Sequence, residues 1–380
     1  MTLLSIRNGV FGSLRRSLRR YFFELRLHIS RFKDSRRRPC VVIFPSNQPW
    51  DPASNLRAWS IAPYLEKLGW RVVLIPEPLS LNQRRRILQL ETPDVVLLQQ
   101  TRHPLNQPRL YAPFPCVLDA DDADYLDPKH HDRIVQCAQD AAAVIGGSRF
   151  VAKCLGNHNT SSHVLWTCTP NPNGSPRIPP DKRLPVVAWA HASPLGYVHE
   201  AKFIQSVMTE VCRRTTCIFW LFGTSEADAG SWFKPIRDAG GTCEAIPSLP
   251  YEGYLEKVSE AAVGLQPVSN ASEFSRGKSF GKLLAYLGGQ VAVVASDAVD
   301  HPLFFRQWQN GVLVQEEVLE WADAVVRLLE NTELRRNIAL AGWADFHQRL
   351  TSNIFADRLA SILKSVVVKS DQHAEYAKLK

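Results

Sequence analysis

The chain has 380 residues, 45% hydrophobic and 22% charged, with a formal charge of +8. That length is long for one core and suits two domains of an ordinary globular protein. The charge is not spread evenly: residues 1–38 hold eleven Lys or Arg against Glu24 and Asp34, a local +9, so residues 39–380 sum to −1. A nearly neutral body argues against a nucleic-acid-binding surface, which would carry its own basic face. The 8 cysteines are scattered without a CxxC pair, which speaks against a zinc site or a disulfide framework and for a reducing cytosol.

In chain order, the first element is a basic arm, residues 1–38. Phe11, Leu14, Leu18, Phe22, Leu25 and Ile29 recur at three- and four-residue steps, one face of a helix flanked by arginine. Such a helix suits an anionic membrane surface. The alternatives are a helix packed on the protein itself and an organellar transit peptide. Arginine interrupts every apolar stretch of the arm, so a secretory signal is not expected, and no apolar run reaches bilayer-spanning length.

Residues 39–168 read as alternating strands and helices. Strands are expected at 39–44, 71–75, 94–98, 115–118, 142–145 and 164–167. Helices are expected at 56–68, stopped by Gly69, then at 81–90, around 130–143, and at 146–155 with a Ser cap. This alternation predicts a parallel sheet with helices on both faces and right-handed crossovers. Polar residues then gather at the strand ends, on one rim: Ser46, Asn47 and Asp51, the loop with His103, and the run Asp119, Asp121, Asp122, Asp124. Carboxylates that close need a cation or a helix N-terminus beside them. They suit acceptor-hydroxyl binding or general-base work, or else form a capped turn. Asn47, Asp51, Asp119 and Asp121 are the candidate acceptor-binding residues, and His103 and Asp122 the candidate catalytic ones.

Residues 169–185 (TPNPNGSPRIPPDKRLP) read as an interdomain linker. The alternation restarts in 186–350, with strands at 186–190, 216–222, 242–246, 262–268, 291–295 and 311–314. Helices are expected at 199–213, 254–261, 279–287, 318–329 and 332–350. A terminal helix at 351–366 and a polar tail at 367–380 close the chain. The most informative stretch is 276–297, RGKSFGKLLAYLGGQVAVVASD. Lys278, Ser279 and Lys282 stand at a helix start where free backbone N–H groups favour anions. A buried strand follows, so the segment reads as a diphosphate pocket for a nucleotide-sugar at the sheet edge. Two doubly wound domains then face each other across a cleft, an anion site on one rim and hydroxyl-binding groups on the other.

The order of these motifs resembles the GT-B glycosyltransferases, specifically family 4 and its bacterial relatives. The resemblance covers about residues 39–366. It is carried by KSFGKLLAYLGGQVAVVASD (278–297), by VLDADDADYL (117–126) and by AAAVIGGSRFVAKCL (141–155). It implies two Rossmann-like domains and retaining sugar transfer from a nucleotide-sugar to a glycan or lipid-linked acceptor. It implies no cofactor beyond the donor and no catalytic metal. It further implies that Lys278 and Lys282 neutralise the donor phosphates and that the amides of Phe280 and Gly281 hydrogen-bond the diphosphate. A cytoplasmic enzyme, peripheral at the inner membrane face, would follow.

The chain departs from the family pattern at Ala285, where relatives carry a ribose-binding glutamate. Glu273 is a candidate substitute, and Lys202 a candidate donor contact. The loop SNQPWDPASN lacks the family's glycine pair, and His191 and Ser193 are placed to face the cleft. The loss at Ala285 keeps open a non-catalytic partner subunit of the same shape. A third alternative is another enzyme on the same scaffold, such as a nucleotide-sugar epimerase or a phosphorylase.

Overall fold

The computed structural model describes residues 38–75, 79–100, 103–170, 176–278 and 280–378. The basic arm and Ser279 lie outside the described residues. The chain forms two six-stranded sheets, every strand pair parallel.

The first sheet contains β1 (Cys40–Phe44), β2 (Arg71–Leu74), β3 (Val95–Gln99), β4 (Cys116–Ala120), β5 (Ala143–Gly146) and β6 (Ser162–Val164), in the order β2-β1-β3-β4-β5-β6. The second contains β7 (Val186–Ala190), β8 (Ile218–Phe222), β9 (Thr242–Ile246), β10 (Val263–Gln266), β11 (Ala292–Ser296) and β12 (Val312–Val314), in the order β12-β11-β10-β7-β8-β9. In each sheet the strand order reverses beside the first strand. Loops leaving β1 and β7 therefore open at a switch point, where such sheets bind ligands. Central strands are covered on both faces, so they read as unbroken Val, Ile and Leu runs; β1, β3 and β11 are buried at every position.

Several elements differ from the sequence expectation. The helix expected at 56–68 is broken into Pro52–Ser54, a π turn at Asn55–Trp59, and Ala62–Lys67. Pro63 has no N–H to offer the carbonyl of Trp59, and the chain widens to an i→i+5 bond from Ser60 N to Asn55 O. The sixth strand ends at Val164 rather than starting there, because Trp166 and Thr167 leave the sheet for the domain interface. The helix Glu226–Asp238 is unexpected; Ser225 caps it, and Pro235 in its interior masks the pattern. The terminal helix runs from Ser352 to Lys378, so the tail at 367–378 continues it.

That helix does not stay with the second domain. Phe355, Leu359, Leu363 and Val366 pack among Val41, Ile43, Ile61 and Leu65 of the first. The chain thus crosses between domains twice, and the crossings are stitched together: Thr169 N donates to Leu350 O, and Ser352 N to Thr169 O. The expected linker is also anchored at its far end. Arg183, 5% exposed, donates to the carbonyls of Ala261, Gly289 and Gln290. All eight cysteines are free thiols. Among the described residues no helix is long and apolar enough to cross a membrane.

Candidate active site

The C-terminal strand edges of the two sheets enclose a cavity of about 620 Å³ between the domains. Its first-domain wall carries Trp50, Asp51, Asp121, Asp122 and Thr167. Its second-domain wall carries His191, Tyr197, Glu200, Lys278, Gly281 and Lys282, with an apolar end at Phe222, Leu249, Pro250 and Tyr254. Close backbone approach shapes this wall at two glycines. A Cβ on Gly223, which has φ +85°, would meet His191 O at 2.0 Å, and one on Gly277 would meet the Ala123 Cβ across the interface at 2.5 Å.

The domains are clasped beside the cavity. Asp300, 2% exposed, accepts from Arg149 N and Nε at 2.9 Å each and from Trp166 Nε1 at 2.7 Å. Ser148 Oγ donates to Gly277 O at 3.2 Å.

The two lysines occupy different electrostatic settings. Lys278 Nζ lies 2.9 Å from Tyr197 Oη and 3.9 Å from Asp122 Oδ1, over the rings of Phe274 and Tyr197. The Lys282 ammonium makes no hydrogen bond or ion pair among the described residues. Burial, then the like charge of Lys278, lowers its pKa, while Asp122 partly offsets them. Gly281 beside it has no neighbour within 4 Å of a built Cβ, so the space above its backbone is open.

His191 shares this wall, its ring 4.1 Å from that of Tyr197. Burial, with Lys282 and Lys278 nearby, pushes its pKa down to about 3. Its Nδ1 accepts from Ser193 N, which puts the proton of the neutral ring on Nε2. The imidazole is thus a neutral donor, unsuited to titrate near neutrality. Glu200 accepts from Ser275 Oγ at 2.5 Å and Ser269 N at 3.2 Å, fixing the turn that leads to Lys278.

On the facing wall, Asp121 accepts from Thr167 Oγ1 at 2.6 Å and lies 3.4 Å from Arg57. Burial pushes its carboxyl up, Arg57 pulls it back, and Asp122 pushes it up again; the net shift is upward. Asp51 caps the helix Pro52–Ser54 through one oxygen. Among the described residues no group of three or more His, Cys, Asp or Glu is arranged to hold a metal ion.

The cavity therefore brings together Asp51, Asp121, Asp122, Lys278, Gly281 and Lys282 of the sequence candidates, with His191. Others lie elsewhere. Asp119 is 2% exposed, and both its oxygens are held by Arg57, at 2.9 and 2.5 Å, so it serves the interior rather than an acceptor. His103 is turned into its own loop, where Nδ1 accepts from Leu105 N; burial and the charges of Arg84 and Arg133 lower its pKa to about 4. It does not line the cavity. Asn47 is exposed outside the cavity, its backbone N–H bonded to Ser54 Oγ. Lys202 and Glu273 are exposed on helix surfaces away from the cavity.

Phe280 has its ring buried against Trp166, Phe304 and His301. The expected helix at 279–287 begins only at Leu283, so the lysines sit on the turn before it. Ala285 is buried in the apolar cluster that includes Phe222, Tyr251 and Tyr254 and does not border the cavity. Tyr197, Glu200 and the aromatic end were not singled out from sequence. Their one local signal was position, just beyond strand ends.

No protein-family model matches the chain, and no curated protein is significantly similar to it in sequence. Solved structures are similar in shape. HepE from Anabaena, in complex with UDP and glucose, is 16% identical with a TM-score of 0.60, over 86% of this chain and 100% of that one. Sucrose-phosphate synthase from Thermosynechococcus elongatus is 12% identical with a TM-score of 0.62, over 87% and 100%. A UDP-N-acetylglucosamine 2-epimerase assignment from Listeria monocytogenes is 12% identical with a TM-score of 0.57, over 86% and 96%. At these identities the likeness establishes the fold, two Rossmann-like domains in the GT-B arrangement.

Proposed function

We propose that the protein is a glycosyltransferase that moves a sugar from a nucleotide-sugar to a hydroxyl of a glycan or lipid-linked acceptor. The observation that carries this reading is the Lys282 ammonium. It is partly desolvated, stands beside a second lysine and open backbone, and has no ion-pair partner among the described residues, Asp122 offsetting its setting only in part. A diphosphate supplies that charge, and as the leaving group it gains charge during transfer, which fixed cations stabilise. The aromatic and proline-lined end of the cavity then receives the nucleoside. Asp121 and Asp122 face the lysines from the other domain, placed for acceptor hydroxyls, with Asp122 the candidate catalytic carboxylate. HepE, in complex with UDP and glucose, lends the nucleotide its chemical precedent.

The finer reading is a family 4-like, retaining enzyme. Its two lysines, rather than a divalent cation, offset the phosphate charge. The basic arm would hold the enzyme at an anionic membrane surface near its acceptor.

The test is a panel of nucleotide-sugars incubated with the full chain, with and without EDTA, reading released nucleotide and the anomer of the released sugar. Slow hydrolysis of one donor, unaffected by EDTA and with retained configuration, supports the proposal. Binding without hydrolysis or transfer points to a partner subunit. Formation of a 2-epimer points instead to the reaction named for the Listeria neighbour.

A further inference from the structure

One side chain at the cavity mouth is left unexplained by donor binding. Trp50 is 79% exposed, the one tryptophan of ten that stands out into solvent, and it lines the cavity on the first-domain wall. The other nine are buried or half-buried. A large aromatic ring in that position forgoes the burial that normally stabilises it, and a loop free to relax would fold it inward.

This loop is not free to relax. Asp51 N donates to Gln48 O at 3.0 Å, and Asn55 Nδ2 to Pro49 O at 2.6 Å. Asn47 N donates to Ser54 Oγ at 2.8 Å, and Trp59 Nε1 to Asn47 O at 3.3 Å. Ser54 Oγ is itself tied to Gln99 Oε1 at the end of β3. The backbone that carries Trp50 is therefore held in a bonded turn that directs the side chain outward before any ligand arrives.

We infer that Trp50 is a stacking platform for a pyranose ring of the acceptor, with Asp51 and Asp122 taking hydroxyls at the ring's edge. The inference rests on the glycosyltransferase reading and specifies what its acceptor side binds. A pyranose has a face of C–H groups and a rim of hydroxyls, and this wall offers both complements side by side. Asp51 spends one oxygen on its helix cap, and its Oδ2 makes no hydrogen bond or ion pair among the described residues. A lipid chain on the same ring would press hydrocarbon against the adjacent Asp51 carboxylate and desolvate its Oδ2 with no compensating hydrogen bond. The composition of the wall thus favours a sugar over an acyl chain.

The experiment uses the full chain saturated with the nucleotide that the donor panel retains. Indole signals are recorded by ¹⁵N NMR, and that of Trp50 is assigned by its loss in Trp50→Phe. Methyl glycosides of glucose, galactose, mannose and N-acetylglucosamine are titrated in turn, then dodecylphosphocholine and anionic phospholipid vesicles. The expected result is that at least one glycoside shifts the Trp50 signal. Trp50→Ala should weaken that glycoside about tenfold or more while nucleotide affinity changes by less than about twofold. The inference is overturned if nucleotide binds but no glycoside moves the signal, if Trp50→Ala binds the glycoside as well as before, or if only the lipid probes act. Failure of every nucleotide to bind is a separate outcome: it removes the transferase reading and this inference with it.

Discussion

Arg57 and Lys282 are both withdrawn from solvent near the domain boundary, yet the fold treats their charges in opposite ways. Arg57 is 0% exposed, and every nitrogen has an acceptor: Asp119 twice, the carbonyl of Leu165 and Thr167 Oγ1. Burial acts against its charge, but Asp119 and Asp121 outweigh it, and the guanidinium is more basic than usual. At Lys282 burial and Lys278 win, and the amine is less basic than usual. The first cation is a completed structural unit. The second is a partly buried charge without an ion-pair partner among the described residues, a cost that the anion of the proposed function would relieve.

The comparison breaks most visibly if Asp119 is removed. Asp119→Ala leaves Arg57 buried with its main counter-charge gone, and should cost about 3–5 kcal/mol of stability, read by urea unfolding. A loss under about 1 kcal/mol would mean that water or Asp121 can take over the pair.

Next in size is an acid effect at His301, which is 1% exposed, with Nδ1 donating to Ser296 O at 2.9 Å. Burial lowers its pKa from 6.5 to about 4. The unfolded chain takes up this proton below pH 6.5 and the folded one does not. Stability from this group is full above 6.5, falls as pH drops, and levels off below about 4, a loss on the order of 3 kcal/mol. His301→Asn should flatten the slope of unfolding free energy against pH in that window.

Lys282→Met sharpens the contrast because its two effects have opposite signs. It should weaken nucleoside diphosphate binding about tenfold to a hundredfold, the worth of one charge-assisted hydrogen bond of about 1.5–3 kcal/mol. It should also raise the melting temperature of the ligand-free protein, since a desolvated charge is removed. In the unaltered protein diphosphate affinity should fall as pH rises through the lowered lysine pKa, before an ordinary lysine would titrate, because only the protonated amine attracts the anion.

The architecture was readable because parallel strands covered on both faces leave continuous apolar runs between capped helices. Pro235 hid a helix that packing holds together regardless. The cavity was half readable. Lys278, Lys282, Asp121 and Asp122 follow from rim position and residue type. Rim position does not say where a side chain points, and so His103 and Asn47 do not line the cavity; nor do Lys202 and Glu273, which were candidates from the family pattern and sequence proximity. Asp119 was misplaced for another reason: its partner, Arg57, is 62 residues distant in sequence, a pairing no local pattern reveals. Tyr197 and Glu200 carry no local signal beyond their position after a strand end, and tertiary contacts bring them to the cavity.

The central claim is that the turn carrying Lys278 and Lys282 binds the diphosphate of a nucleotide. Calorimetry of UDP, ADP and GDP against their nucleosides, on the unaltered protein and on Lys282→Met, tests it most directly. The account predicts that at least one diphosphate binds much more tightly than its nucleoside, and that Lys282→Met erases most of that difference while leaving the nucleoside unchanged. Equal affinity of diphosphate and nucleoside, or a difference that survives the substitution, would contradict it.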